Sequence, residues 1–127
     1  MNINLTLEQA PNEIAKLAEV AEESRFLWKE ADIRLKQTEA QMHLMLKAEK
    51  PSLTVADLRA EVESTDEIYK QRLSVITHES EYKKECIKLE RWVNAFNSAR
   101  KLANVTIEEM RSLHNTVGEH KKNYSND

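Results

Sequence analysis

Glycine is almost missing from this chain: one residue in 127, beside two prolines and one cysteine. So little turn-forming material excludes folds built on tight turns and hairpins, and strand patterns are absent as well. The lone cysteine, Cys86, cannot close an internal disulfide, and no apolar leader opens the chain. An intracellular, reducing location, the cytoplasm, is therefore expected. No apolar run approaches the ~20 residues that cross a bilayer, so no membrane partner is expected. Charge of one sign is also lacking: 19 Lys and Arg stand against 22 Asp and Glu, a net of −3. That balance argues against broad charge-driven binding to nucleic acid and leaves room only for a local basic strip. Signatures of phosphate-loop, dinucleotide and common zinc chemistry (GxxxxGK, GxGxxG, HExxH, CxxC) do not occur.

What is present is charge and period. Charged residues make up 32% and apolar ones 40%, with a mean hydropathy of −0.68. A compact globule of this length usually buries more, so an elongated helical form completed by other copies or partners fits better. The apolar residues are periodic rather than sparse, which speaks against disorder. Ile14, Leu17, Ala21, Ser24, Trp28, Ala31, Leu35, Thr38, Met42 and Met45 step by 3 and 4 without a slip. Helix geometry sets them on one stripe, a seam for another helix. Its small and polar members let a partner come close without supplying much burial.

The spacing predicts a first helix from about Pro11 or Asn12, where proline's fixed φ suits the first turn, preceded by an N-terminal arm over 1–10. Pro51 ends it, because the residue before proline avoids helical dihedrals. Thr54 reads as an N-cap with Asp57 three residues on. Ser64, Thr65 and Asp66 offer a further cap. Yet Val55, Leu58, Val62, Thr65, Tyr69 and Ile76 keep heptad phase, so 51–65 reads either as a loop or as part of the second helix. That helix is expected over about 66–103. Its seam shifts near residue 79, as a stutter, and resumes as Tyr82, Cys86, Leu89, Val93 and Phe96. A second stripe, Trp92, Ala95, Ala99 and Leu102, makes its end apolar on more than one side, which a two-helix hairpin cannot cover. Thr106 to Glu109 reads as a capping box opening a short helix to about Val117, with Gly118 as C-cap and 118–127 as a flexible polar tail. The predicted fold is all-α. Two long helices form an antiparallel hairpin with short additional helices, in one helical domain over 11–117 that oligomerises through coiled-coil-like faces.

Few residues invite chemistry. His43, His78, His114 and His120 are scattered, so solvated helix-surface histidines are the default and no metal site is expected. Cys86 occupies an apolar seam position, where a thiol acts as a small hydrophobe. The carboxylates have basic neighbours at helical spacing, such as Glu79 with Lys83 and Glu85 with Lys88, an ordinary surface pairing. No catalytic residue and no cofactor are expected; the chain does not read as an enzyme. Trp28 and Trp92 fit core packing first and a nucleobase stack or partner anchor second. Tyr82 beside Lys83 and Lys84, and Arg91 beside Trp92, interleave base and aromatic, but residues 79–91 hold equal numbers of acids and bases, a balanced solvated face. Lys47 and Lys50 lie one turn apart at the end of the first helix. As solubilising residues they suit its dipole; repeated around a ring of subunits they would form a basic track. Trp92, Phe96, Ala99 and Leu102 are the candidate oligomer or partner interface.

The stretch Met45-Leu46-Lys47-Ala48-Glu49, closing a long Trp-containing helix, resembles the hydrophobic-Leu-Lys-Ala-Arg stretch of the UvsY-type phage recombination mediators. Ser98-Ala99-Arg100-Lys101 followed by Ile107-Glu108-Glu109-Met110-Arg111 is similar to that family's Ser-Arg and Ile-x-Asp-Met-Arg ending. The likeness spans roughly residues 20–113. It implies a helical ring that binds single-stranded DNA and helps a RecA-like recombinase displace a single-strand-binding protein. The family's DNA-contacting Lys maps onto Lys47. Its Arg position holds Glu49 here, with Lys50 one residue later. The reading that follows is a non-enzymatic, homo-oligomeric mediator of phage recombination or replication in the host cytoplasm. Its rivals are a helical adaptor or inhibitor of a host protein, using the apolar surplus of 86–103, and a structural coiled-coil subunit.

Overall fold

The computed structural model describes residues 2–125, with side chains for 2–115. It holds three helices and no strand among them: α1 (Ile3–Glu49), α2 (Val55–Glu63) and α3 (Asp66–Ser125). The fold is all-α with two long helices, and no helix among the described residues is long and apolar enough to cross a membrane.

The helix starts are set by side-chain caps. Asn2 Oδ1 accepts the Leu5 N–H at 3.1 Å and the Asn2 carbonyl accepts the Thr6 N–H at 3.0 Å, so α1 begins at Ile3, well before the proline expected to open it. The arm over 1–10 is thus helical. Pro11 sits inside α1, exposed, at an interior position where proline costs about 3 kcal/mol. Burial offsets this: Ile3 and Leu7 are half-buried and Ala10 is fully buried, extending the seam backwards in the same 3-and-4 rhythm. At the other end, the Lys50 N–H still reaches the Leu46 carbonyl at 2.8 Å before Pro51 breaks the ladder.

Segment 51–65 is neither a plain loop nor an extension of α3. Thr54, extended at φ −70 and ψ 161, accepts the Asp57 N–H on its hydroxyl and caps α2, as its spacing predicts. Ser64 closes α2, Thr65 donates its hydroxyl to the Val62 carbonyl at 2.8 Å, and α3 starts at once with Asp66 and Glu67 in its first turn, where helix polarity favours acids.

From there α3 runs unbroken through both expected stops. The Thr106 hydroxyl does not cap a new helix; it donates back to the Leu102 carbonyl at 3.0 Å, satisfied within the existing one. Gly118 does not end the helix either, since α3 continues to Ser125. Of the expected tail, residues 126 and 127 lie outside the described residues, as do the side chains from 116 onward, His120 among them.

Two packed units share these helices. In the unit Lys16–Leu89, the α1 seam from Leu17 to Met42 turns inward as expected, with none of its members exposed. It ends one step early: Met45 is 64% exposed, and Leu46 takes its place. Opposite it stand Thr65, just before α3, and Ile68, Arg72, Val75, Glu79, Tyr82, Cys86 and Leu89 of α3. These keep an even 3-and-4 step, so the expected stutter near 79 does not exist. Tyr69 and Ile76, assigned to that seam from sequence, are 63% and 60% exposed, and Val55 is 74% exposed. The true register was disguised because Arg72 and Glu79 occupy seam positions, where long side chains bury their stems and keep the charged heads wet. Arg72 there reaches both Glu39 and Glu63 at 3.5 Å.

Partners along the two helices run in opposite senses. Trp28 stacks on Tyr82 with ring centroids 5.6 Å apart, Thr38 Oγ1 accepts from Gln71 Nε2 at 2.9 Å, and Thr65 donates to Met42 Sδ at 3.6 Å. The well-buried large side chains are few: Leu58 and Val62 on one face of α2, and Ile68 in the first turns of α3. The second unit joins the α1 segment to Ala15 with α3 from Glu90 onward. There Ala10 and Ala99 are both fully buried.

Candidate nucleic-acid and assembly interfaces

Lys47 and Lys50 end up in different surroundings. Lys50 Nζ lies 3.4 Å from both carboxylate oxygens of Glu61, so it ties the end of α1 to α2. Lys47 is exposed and has no ion pair among the described residues. It borders a groove of about 430 Å³ whose remaining lining, Ala40, His43, Leu44, Leu53, Val55 and Leu58, is mostly apolar. Leu44 and Val55 are both 74% exposed there. Glu49, at the resemblance's Arg position, faces solvent.

Of the expected interface, Ala99 is spent inside the unit, Trp92 and Phe96 are half-buried, and only Leu102 stands open, at 46%. Cover for part of this apolar surplus comes from the chain itself: the start of α1, the segment expected to be an arm. Trp92, Ala95 and Arg91 line a hollow of about 310 Å³ together with Thr6 of that segment. Arg100 covers Phe96, its guanidinium carbon 5.7 Å from the ring centroid.

Further along, α3 has no cover. Every described residue from 104 to 115 is exposed, and with Leu102 they include Val105, Ile107, Met110 and Leu113. Ala103 and Met110 continue the seven-residue spacing of Val75, Tyr82, Leu89 and Phe96, so the helix keeps an interface pattern past the part of the chain that satisfies it.

Sequence reasoning missed a second surface. From Arg91 to Ile107 there is no acidic residue, while Arg91, Arg100 and Lys101 give the stretch a net +3 within a chain of net −3. Its exposed uncharged polar residues are Asn94, Asn97, Ser98, Asn104 and Thr106. Asn97, Arg100, Lys101 and Asn104 line a shallow depression of about 280 Å³. The signal lay in the local lack of acids, which a whole-chain charge of −3 conceals.

Among the described residues, no three His, Cys, Asp or Glu side chains are grouped to hold a metal ion. A cleft of about 370 Å³ brings Glu30, Arg34, Gln71 and His78 together, but Glu30 is engaged by Arg34 at 2.6 Å. Tyr82 titrates above its ordinary value: hydrogen bonding to Cys86 leads, the charge of the ionised thiol and desolvation add to it, and Arg25 opposes. Comparison with known proteins returns no neighbour, since no family model, curated protein or solved structure matches the chain.

Proposed function

We propose that this chain is a non-catalytic helical protein, an antiparallel hairpin that oligomerises and binds single-stranded DNA. In this reading it is a mediator that helps a RecA-like recombinase displace a single-strand-binding protein during phage-type recombination or replication. The observation that carries the assembly half is the uncovered stretch of α3 in which Leu102, Val105, Ile107, Met110 and Leu113 are all 46–68% exposed, Met110 continuing the seven-residue spacing of Phe96 and Ala103. Taking such a side chain from full exposure to full burial is worth about 1.5–3 kcal/mol, and roughly half of that is still to be gained at these exposures, which offsets part of the cost of association. The resemblance over residues 20–113 supplies the DNA half. One copy's cations bind a strand weakly; many copies on one strand gain by multivalency.

The test is the native mass of the purified chain with and without an oligo-dT. The proposal expects a closed assembly of several copies and a salt-sensitive complex. A monomer that ignores oligo-dT at ~50 mM salt sinks it. The groove beside Lys47 favours a second reading, a helical adaptor that receives an apolar helix of a host protein. A single copy that forms a one-to-one protein complex would decide for that reading.

A further inference from the structure

We infer that the DNA-contacting surface is the acid-free face of α3 between Arg91 and Asn104, and not the lysine pair at the end of α1. The inference rests on the single-stranded-DNA reading above and assigns it a site. Asn94, Asn97, Lys101 and Asn104 lie at helical spacing on the side facing away from the buried Ala99, with Arg91 and Ser98 on its flank, and all six are exposed. The stripe is about 20 Å long at 1.5 Å per residue, room for roughly six nucleotides at 3.4 Å each.

The contrast with the preceding turns is what marks it. Lys83, Lys84 and Lys88 are paired with Glu79, Glu81 and Glu85 at 3.0, 3.8 and 3.2 Å. Arg91, Arg100 and Lys101 have no acidic partner among the described residues, and the nearest acids along the helix, Glu90 and Glu108, bound the stretch. Glu8 and Glu13 belong to the α1 segment of the same unit, and Glu13 already has a partner. The polar residues between the cations are Asn and Ser, poor helix formers on a face where Glu, Gln or Lys would serve solubility better.

Amides and hydroxyls interleaved with cations suit a phosphodiester strand. Asn and Ser side chains reach phosphate and sugar oxygens while the cations displace counterions. An acidic peptide would use the cations and leave the amides without a purpose. Trp92 and Phe96 are half-buried, and Arg100 lies over Phe96, so no aromatic ring is offered as a stacking platform. Contact through the backbone alone makes the affinity indifferent to base sequence.

The experiment measures oligo-dT binding by fluorescence anisotropy over a salt series on the full chain. The variants are Arg91→Gln/Lys101→Gln, each single change, Lys47→Gln, and Lys83→Gln/Lys84→Gln as a control of equal charge loss. Circular dichroism and native mass confirm that each variant keeps its helices and assembly. The double change on the acid-free face is expected to weaken binding roughly 10-fold or more at ~50 mM salt. It should also flatten the log K against log salt slope by about 1.4, with about 0.7 from each single change. The Lys83/Lys84 control should stay within about twofold, its cations being neutralised already. Unchanged binding after Arg91→Gln/Lys101→Gln, with loss on Lys47→Gln, overturns this site and leaves the DNA reading standing. No binding by the unaltered chain overturns both. Competition by polyglutamate as effective as that of unlabelled oligo-dT also overturns the inference, by showing a site for acidic protein.

Discussion

Replacing Ile68 by Ala tests the register of α3, because sequence and structure choose adjacent residues for the seam. Ile68 is fully buried, whereas Tyr69, the residue that sequence periodicity assigned to the interior, is 63% exposed. Truncating a buried Ile to Ala costs about 2–5 kcal/mol, the transfer of the lost methyl and methylene groups plus the cavity left behind. Val62 is the only other large side chain as thoroughly enclosed among the described residues. Tyr69→Ala removes a mostly solvated ring and should cost well under 1 kcal/mol. Against a typical total of about 5–15 kcal/mol, a loss of ~3 kcal/mol is about a fifth to three-fifths of the stability. Urea unfolding followed by far-UV circular dichroism reads this directly. With a slope of about 2 kcal/mol per molar, a loss of ~3 kcal/mol moves the midpoint by ~1.5 M. All variants are compared at one protein concentration, because assembly contributes to apparent stability. Equal midpoint shifts for Ile68→Ala and Tyr69→Ala, or a larger shift for Tyr69→Ala, would refute the register and restore the stutter near residue 79.

Three further outcomes follow from local geometry. Thr54→Ala leaves the Asp57 N–H without the hydroxyl that accepts it and should cost about 1 kcal/mol in the same urea assay, while Thr54→Ser should restore most of it. A double-mutant cycle on Trp28 and Tyr82, each changed to Leu, should return a coupling of about 0.5–1.5 kcal/mol from their stack at 5.6 Å; a coupling near zero would mean the rings do not meet in solution. The Tyr82 phenol is held above its ordinary value of 10.0, so the folded state retains that proton after the unfolded chain has lost it. Its contribution is therefore complete below pH 10 and is lost as pH rises through the folded value. Tyr82→Phe should flatten the alkaline fall in thermal stability, and an unchanged fall would show that Tyr82 is not its source.

The α1 seam was legible from Ile14 to Met42 because its apolar and small residues recur without interruption and no charged residue occupies a seam position. On α3 the same reading failed by one residue, since Arg72 and Glu79 stand at seam positions while Tyr69 and Ile76 offer competing hydrophobicity next to them. Pro11 hid the start of α1: proline is a strong local signal for a helix start, and only the packing that buries Ala10 and Ala99 overrides it. Thr106 failed as a boundary because its hydroxyl satisfies itself within the helix, which spacing alone cannot distinguish from capping. The Thr54 cap, by contrast, rests on a hydrogen bond between near neighbours, and local sequence specifies it fully. For the candidate interfaces, the surplus of apolar surface after residue 86 was visible in sequence, but its partner was not. Part of it is covered by a segment more than 80 positions away in the chain, and what remains open lies further along, at Leu102 to Leu113.

That open stretch supports the central claim, and the native mass of a Met110→Ser/Leu113→Ser variant beside the unaltered chain tests it most directly. Both side chains are about two-thirds exposed, at 66% and 68%, so the changes remove almost nothing that a single copy uses. The account predicts a multi-copy assembly for the unaltered chain, and a shift to smaller species at the same concentration for the variant, with helicity retained. A unaltered chain that is monomeric, or a variant that assembles as well as the original, would contradict it.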